Sequence, residues 1–218
     1  MQRFSSGEAI RFGWEMVKEN LKFFIGLSVA ILAVFALANV IGTSLQHAGG
    51  FVIFLFQAAF FFLSTYVAII VSRMSLNFVD NGTSSWGELF APKVNFWTYL
   101  LASLLFNLIT FAGTLLLIVP GIIWGVMFAF YNYFVIDKQD NVMDSLKASA
   151  AATKGSRWGL FLFFLTLLGI NILGLLALVV GLVVTLPLSA LATAHVYRQL
   201  NAAEASGTDV SAAPAVEM

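Results

Sequence analysis

The chain has 218 residues, of which 60% are hydrophobic and 10% are charged, and it contains no cysteine. Soluble globular domains usually carry about 25% charged residues, so this composition excludes an ordinary water-soluble fold. The lack of cysteine excludes disulfides and thiol-ligated metals. Eleven basic and eleven acidic residues give a formal net charge of zero, so the positions of the charges are more informative than their sum.

Three long blocks without a charged side chain dominate the chain: residues 23–72, 97–136 and 158–197. A helix rises 1.5 Å per residue, so each block would reach about 60 Å or more, at least twice the roughly 30 Å of bilayer hydrocarbon. Each block therefore predicts a helical hairpin that crosses a membrane twice, because helices satisfy their backbone hydrogen bonds internally. We predict an all-α, polytopic integral membrane protein with six transmembrane helices in three hairpins.

All eleven Lys and Arg residues fall outside the three charge-free blocks. If each block is a hairpin, every basic residue lies on the same face of the membrane. Basic residues in short loops mark the cytoplasmic side. The sequence therefore predicts that both termini are cytoplasmic.

An amphipathic helix is predicted ahead of the first hairpin. Ser5-x-x-Glu8 is a capping box, in which each side chain satisfies a free backbone amide at the start of a helix. Ile10, Trp14 and Val17 then recur on one face at helical spacing. Such a helix is expected to lie along the cytoplasmic interface of the membrane.

The same start signal precedes the other two hairpins. Ser85-x-x-Glu88 is a second capping box, and Asn141-x-x-Asp144 is a related signal in which Asp replaces Glu. We therefore predict three units within one transmembrane domain of residues 1–200, at about 5–78, 85–137 and 141–199. Residues 201–218 are too polar to cross a membrane, and they are predicted to form a disordered cytoplasmic tail.

The second block is interrupted near its middle by Pro120 and Gly121. A Pro-Gly dipeptide is a strong turn signal, because proline lacks a backbone N–H and glycine accepts unusual backbone conformations. We predict that this dipeptide forms the outer turn of the second hairpin. The predicted outer loops contain no Lys or Arg.

The first helix of each hairpin carries an asparagine followed by two aliphatic residues and a small residue. The three asparagines are Asn39, Asn107 and Asn171. An unpaired amide is costly in hydrocarbon, and a hydrogen bond between membrane helices contributes about 0.6 to 2 kcal/mol. We interpret the asparagines as interhelical polar contacts. The alternative is that they surround a polar pathway.

The helix predicted to begin at Asn141 has a narrow apolar face, formed by Val142, Leu146 and Ala150. A narrow face binds a membrane weakly by itself, so attraction to anionic lipid must contribute. Basic residues and a tryptophan accompany this helix. The residues predicted to contact anionic lipid or an acidic partner surface are Lys147, Lys154, Arg157 and Trp158.

The sequence offers no constellation for catalysis or metal binding. His47 and His195 are predicted to lie on opposite faces of the membrane, which argues against a joint metal site. The predicted spans contain no carboxylate, which disfavours ion-coupled transport. The aspartates after the fourth span alternate with lysines and are interpreted as a solvated, capping surface. We predict no enzymatic activity, no metal, no cofactor and no nucleic acid partner.

Four segments carry a resemblance to a known family. They are Val119-Pro-Gly-Ile-Ile123, Val135-Ile-Asp-Lys138, Asp144-Ser-Leu-Lys-Ala-Ser149 and Thr153-Lys-Gly-x-Arg157-Trp158. They resemble the uncharacterised bacterial family that includes the YciC-like proteins and the membrane domain of some glycerophosphodiester phosphodiesterases. The resemblance is strongest over about residues 115–198. It implies a bacterial inner-membrane location and no assigned activity, because the phosphodiesterase catalytic domain is absent from this sequence.

Two functions follow as hypotheses. The first is a non-enzymatic inner-membrane protein that binds anionic lipid, a membrane protein partner or a second copy of itself through its cytoplasmic interfacial helices. The alternative is a channel or carrier for a small neutral or lipid-like solute. Transport predicts that the three asparagines converge on a wet cavity with Gln57, Ser64 and Thr65.

Overall fold

The computed structural model describes residues 4–87, 94–177 and 181–211, with side chains described up to residue 203. Within these ranges every regular element is a helix, which confirms the all-α prediction. The helices are α1 (Ser6–Glu19), α2 (Leu21–Ser44), α3 (Gly50–Asn81), α4 (Phe96–Leu116), α5 (Ile118–Met127), α6 (Tyr131–Asp137), α7 (Val142–Ala152), α8 (Arg157–Leu176) and α9 (Leu182–Ser211).

Five segments in the described part of the chain are long and apolar enough to cross a membrane. They are Leu21–Ser44, Gly50–Asn81, Phe96–Leu116, Ile118–Asp137 and Arg157–Leu176. Helix α9, the predicted sixth span, is not among them. It lies at the centre of the bundle against α1, α2, α3 and α8, so protein covers it. A helix covered by protein needs less hydropathy than one that faces lipid, and α9 is rich in buried alanine and leucine.

Ser5 caps the start of α1 as predicted. The Ser5 backbone N–H and the Glu8 side chain, however, bind a residue of α9 instead of each other. The Ser5 hydroxyl accepts a hydrogen bond from the Glu8 backbone N–H at 3.3 Å. The Ser5 backbone N–H donates to the Gln199 side-chain oxygen at 3.0 Å, and Gln199 donates from its amide nitrogen to the Glu8 carboxylate at 3.3 Å. The box therefore joins α1 to α9.

The face of α1 that packs on α9 consists of small residues. Its fully buried positions are Ala9, Gly13 and Val17, whereas Trp14 is 47% exposed. A Cβ atom at Gly13 would lie 2.8 Å from the Leu188 carbonyl oxygen, so only glycine permits this approach. Of the three residues predicted to share the apolar face, Val17 packs on α9 and Trp14 does not, because close backbone contact with α9 selects small side chains.

The other two predicted caps have different outcomes. Glu88 lies outside the described residues. Asn141 occupies the N-cap position of α7 but its side chain does not cap the helix; its amide nitrogen lies 3.5 Å from the Asp144 carboxylate instead. An unpredicted cap occurs at Asn95, whose side-chain oxygen accepts from two backbone N–H groups in the first turn of α4.

The turn of the second hairpin lies at Leu117, three residues before Pro120. Leu117 alone has extended backbone, and α5 resumes at the next residue. Pro120 therefore sits in the first helical turn, where a missing N–H costs little. Gly121 packs against the end of α4, because a Cβ atom there would lie 2.8 Å from the Thr114 Cα. Pro120 and Gly121 therefore belong to the start of α5. The turn between α4 and α5 lies closer to α4 than the sequence predicted.

The end of α2 and the start of α3, on either side of the turn between them, pack loosely. From residue 29 to residue 64 no side chain is fully buried, and the buried face of α3 begins at Thr65. The two helices touch there mainly through aromatic side chains such as Phe35 and Phe60, whose ring centroids are 5.6 Å apart. The core of the molecule is therefore confined to the opposite end of α3 and the helices around it.

Candidate functional site

The connection from α5 to α6 interrupts the helix at residues 128–130, and the buried face of α7 covers this interruption. The Ser149 hydroxyl donates to the Met127 carbonyl at 3.0 Å and accepts from the Phe130 N–H at 3.2 Å. The Thr153 hydroxyl also donates to the Met127 carbonyl, at 3.2 Å. The hydroxyls of Ser149 in α7 and of Thr153 at its C-cap therefore satisfy backbone groups that the broken helix cannot satisfy itself.

This contact corrects the predicted orientation of α7. Its fully buried residues are Ser145, Leu146, Ser149 and Ala152, whereas Val142 and Ala150 are only partly buried. The buried face is thus mostly hydroxyl-bearing or small, and only Leu146 of the predicted apolar face is fully buried. The physical reason is that α7 packs on irregular backbone, which needs hydrogen-bonding partners.

Because one face of α7 is fixed in this way, the basic residues point outward. We call Lys147, Lys154, Arg157 and Trp158 the basic–aromatic surface; all four are exposed, and Trp158 is 72% exposed. The Trp158 ring stacks on Phe161 at a centroid distance of 5.4 Å. The nearby Asp144 is also exposed and reduces the local positive charge.

An apolar groove of about 620 Å³ adjoins the basic–aromatic surface. We call it the α5–α8 groove; its lining residues are Val119, Ile122, Ile123, Val126, Arg157, Trp158 and Phe161. Val119 directly precedes the Pro120–Gly121 dipeptide that was predicted to form an outer turn, whereas Arg157 was predicted to be cytoplasmic. In the structure the two residues line one groove, because α5 passes beside the first turns of α8.

The three asparagines lie at different helix pairs. Asn171 of α8 donates to the Ser189 hydroxyl of α9 at 2.8 Å, which is an interhelical contact. Asn107 is exposed and donates to the Ser103 carbonyl of its own helix at 2.7 Å. Asn39 is also exposed and lines a groove between α2 and α3 with Gln57. The side chains proposed to accompany them in a pathway, Ser64 and Thr65, bond to their own helix.

A cluster of charges at one end of the bundle was missed by the sequence analysis. Arg198 of α9 binds Asp80 of α3 through Nε and Nη2, at 2.8 and 2.6 Å. It also binds Asp137 of α6 through Nη1 and Nη2, at 2.6 and 2.9 Å. The Tyr197 hydroxyl donates to the same Asp137 carboxylate at 2.9 Å. We call this group the Arg198 clamp.

Electrostatics support a permanently charged clamp. Burial lowers the pKa of the Arg198 guanidinium, but its hydrogen bonds to Asp137 and Asp80 outweigh burial and raise the pKa above the ordinary value. A partial sequence signal existed: the second and third charge-free blocks are followed directly by Asp137 and Arg198, whereas Asp80 comes eight residues after the first block. Opposite charges after the fourth and sixth predicted spans predict a pair, whereas Asp137 was interpreted as part of a solvated, capping surface.

The fold and these surfaces define an all-helical protein with several helices suited to crossing a membrane. Among known proteins, the chain is similar to uncharacterized protein Rv2560 of Mycobacterium tuberculosis, with 28% identity over 228 residues, covering 91% of this chain and 69% of that protein. Uncharacterized protein Mb2590 of Mycobacterium bovis shows the same identity and coverage. No family model matches the chain. No solved structure matches it. The resemblance to the YciC-like family therefore stays a prediction.

Proposed function

We propose that the protein is a non-enzymatic, multi-pass membrane protein that binds anionic lipid through the basic–aromatic surface. The observation that carries this proposal is the division of α7 into two faces. Buried hydroxyls fix one face to the protein, while Lys147 and Lys154 are exposed, as are Arg157 and Trp158 at the start of α8. A tryptophan beside basic residues is typical of a segment at the level of lipid headgroups.

The membrane arrangement is part of the same proposal. We propose six spans with both termini in the cytoplasm of a bacterial cell, α9 being the sixth span and α1 and α7 lying near the cytoplasmic face. The distribution of Lys and Arg outside the charge-free blocks supports this orientation. The hydrogen bond from Asn171 to Ser189 supports pairing of α8 with α9 as an antiparallel hairpin.

The expected strength of lipid binding is moderate. Each basic residue close to an anionic surface contributes about 1 kcal/mol, so three contribute about 3 kcal/mol, and Asp144 offsets part of this. A net contribution of about 2 kcal/mol corresponds to roughly 30-fold in affinity. This is enough to select anionic over neutral lipid without irreversible attachment.

A channel or carrier is the weaker proposal. A polar pathway requires that the asparagines face a shared cavity. Asn39, Asn107 and Asn171 belong to separate helix pairs, so their positions give transport no specific support. We therefore retain lipid binding as the proposed function.

The test replaces Lys147, Lys154 and Arg157 together with Gln. A matched control replaces Arg11, Lys18 and Lys22 with Gln, which removes the same formal charge from exposed positions of the first two helices. Retention of phosphatidylglycerol and of phosphatidylcholine is measured by native mass spectrometry of protein released from nanodiscs. We expect the first variant to lose about 150-fold in phosphatidylglycerol affinity, because it removes about 3 kcal/mol of attraction and leaves Asp144 in place, and the control to lose much less. Equal losses in the two variants, or none in the first, would refute the proposal.

A further inference from the structure

We propose that the α5–α8 groove holds an acyl chain of an anionic phospholipid whose phosphate is bound by Arg157. This inference rests on the proposed function and extends it from a charged surface to a defined lipid site. It makes Arg157 the contact for the headgroup and the aliphatic wall of α5 the contact for the chain.

The lining of the groove matches an amphiphile with one charged end. Five of its seven lining residues are apolar side chains without a polar atom, and Arg157 is the single charged residue among them. Its volume of about 620 Å³ falls within the range of roughly 300 to 1,000 Å³ that is usual for small-molecule sites. An apolar chain can fill such a groove without leaving a buried polar group unpaired.

Arg157 is suited to a phosphate. Its guanidinium is a planar fork that binds phosphate oxygens in pairs, and this geometry distinguishes it from a lysine. In the described part of the chain no carboxylate forms an ion pair with Arg157, so its charge is available to a ligand. The neighbouring Trp158 has an apolar ring and a polar N–H, a combination found where one end of a ligand is apolar and the other is wet.

Both ends of the groove wall are held in place by the protein. At one end of α5, Met127 accepts the hydroxyl hydrogen bonds from α7. At the other end, Gly121 packs against Thr114 of α4. A fixed wall limits the ordering cost of binding, because little of the site must rearrange around the ligand.

The side of the groove near the hairpin turn is bordered by an exposed aliphatic run. The five consecutive residues from Leu115 to Val119 are all aliphatic, and each is between 65% and 78% exposed. A continuous exposed apolar run of this kind marks a membrane or protein contact. Since this run leads directly into the wall of the groove at Val119, a lipid chain can enter from the surrounding hydrocarbon.

The first experiment fills the groove in the full-length protein. Ile123→Trp adds a bulky ring to the groove wall, and Ile172→Trp is the matched control on a different exposed part of α8. Retention of phosphatidylglycerol is measured by native mass spectrometry, with phosphatidylcholine and glycerol 3-phosphate as comparison ligands. We expect Ile123→Trp to weaken phosphatidylglycerol retention by about tenfold and Ile172→Trp to leave it unchanged. Glycerol 3-phosphate, which has no chain, is expected not to compete.

Two further variants examine the headgroup contact. Arg157→Lys keeps the charge and loses the fork, whereas Arg157→Gln loses both. We expect Arg157→Gln to weaken retention more than Arg157→Lys, and Arg157→Lys to weaken it relative to the unmodified protein. Identical retention in all three proteins would overturn the assignment of Arg157.

A photocrosslinking measurement uses the unmodified protein, so its result does not depend on whether the variants fold. Phosphatidylglycerol with a diazirine in its acyl chain should label peptides that contain residues 119–126 and 158–161 more strongly than other exposed apolar segments. Even labelling of all apolar faces would overturn the groove site. If labelling is even but the triple Gln variant still loses phosphatidylglycerol, the proposed function stands and only the groove fails. If the unmodified protein shows no preference for phosphatidylglycerol, both fail.

Discussion

Arg198 uses all three guanidinium nitrogens to hold the carboxylates of Asp80 and Asp137. Paired bidentate contacts of this type are among the stronger hydrogen bonds in proteins. The Arg198 side chain retains 28% exposure, so the clamp lies between a surface ion pair and a buried one. Its main effect is to connect three helices whose sequences are far apart.

Removing the guanidinium should therefore destabilise the bundle. We expect Arg198→Gln to lower the free energy of unfolding by about 1 to 3 kcal/mol, because two aspartates lose their shared partner. Arg198→Lys should lose less, since it keeps the charge without the fork. Thermal unfolding in detergent measures both. Arg11→Gln is the control, because that residue pairs within one turn of α1 and is largely exposed. Equal unfolding temperatures for Arg198→Gln and Arg11→Gln would contradict this account.

Ser149 offers a second prediction at the scale of one residue. Ser149→Ala leaves the Phe130 N–H without its hydroxyl acceptor, while Thr153 still donates to the Met127 carbonyl. An unsatisfied buried amide costs about 1 to 3 kcal/mol, and we expect a loss of that size in thermal or denaturant unfolding. Ser44→Ala is the control, because that hydroxyl bonds only to its own helix at an exposed position. A loss no larger than that of the control would argue against the role of Ser149.

The structural role of a single residue could be predicted from the sequence where it depends on residues close by in the chain. The hydroxyl of Ser5 caps α1 as its sequence motif predicts, because a cap depends on residues three positions away. The Arg198 clamp joins residues separated by 118 and 61 positions. No local pattern contains that information, and only the shared placement of charges at helix ends pointed to it.

Among the elements, the second hairpin shows how glycines set the distance between helices. Gly121 lies against the backbone of α4, whereas the nearest atom to a Cβ at Gly125 would be the Thr110 methyl carbon at 3.8 Å. The two glycines lie one helical turn apart, so they form a matched pair for substitution.

Gly121→Ala should force α4 and α5 apart, because its Cβ would lie 2.8 Å from the Thr114 backbone. We expect a loss of about 1 to 3 kcal/mol in unfolding free energy, as for other overpacked contacts. Gly125→Ala should be tolerated or slightly stabilising, since alanine favours helix and meets only ordinary contact. Unfolding of the two variants in detergent measures the difference between their unfolding free energies. A Gly125→Ala loss as large as that of Gly121→Ala would show that helix spacing is not the cause.

The sequence predicted which segments form helices better than it predicted which side of each helix is buried. Five of the six spans predicted from the charge-free blocks correspond to segments that are long and apolar enough to cross a membrane, and α9 is the exception. The buried face of α7 was mispredicted, because a search for apolar periodicity cannot find a face whose partners are the backbone groups of Met127 and Phe130. The turn at Leu117 was mispredicted for a related reason, since Pro120 is acceptable inside a first helical turn.

At the scale of the whole molecule, the core occupies only one end of the first hairpin. Residues 29–64 contribute no fully buried side chain, and the rest of the hairpin joins the bundle. A helix of 32 residues such as α3 is about 48 Å long, which exceeds the hydrocarbon thickness. Part of α3 must therefore lie outside the hydrocarbon. The end that carries the Arg198 clamp is the polar end of α3, so it is the part expected to lie outside.

Cysteine labelling tests this arrangement, and the natural sequence provides a background without cysteine. We expect His47→Cys to react with a membrane-impermeant thiol reagent added outside intact cells, and Lys147→Cys to react only after permeabilisation. Val119→Cys is also expected to react from outside, because the six-span arrangement places the α4–α5 turn at Leu117 on the outer face. Failure of Val119→Cys to react would contradict that outer turn. Outside labelling of Lys147→Cys would overturn the proposed orientation.

The overall class was readable from composition, whereas the central position of α9 was not. Hydropathy ranks helices by their suitability for lipid, so a helix enclosed by other helices gives a weaker signal. His195 and Arg198 lower the hydropathy of α9 still further, although its Leu191 and Ala192 are completely buried. The least conspicuous of the predicted spans is thus the one that the others surround.

The contacts between α1 and α9 also set an order of assembly during synthesis. Ser5 and Gln199 are 194 positions apart, and α9 follows every other described helix along the chain. At about 5 to 20 residues per second, a ribosome needs roughly 10 to 40 s to make the intervening segment. Throughout that time the Ala9, Gly13 and Val17 face of α1 has no partner helix. Helix α1, which is made before every other described helix, is therefore among the last of them to be packed, and its small-residue face must be kept from premature association until α9 is made.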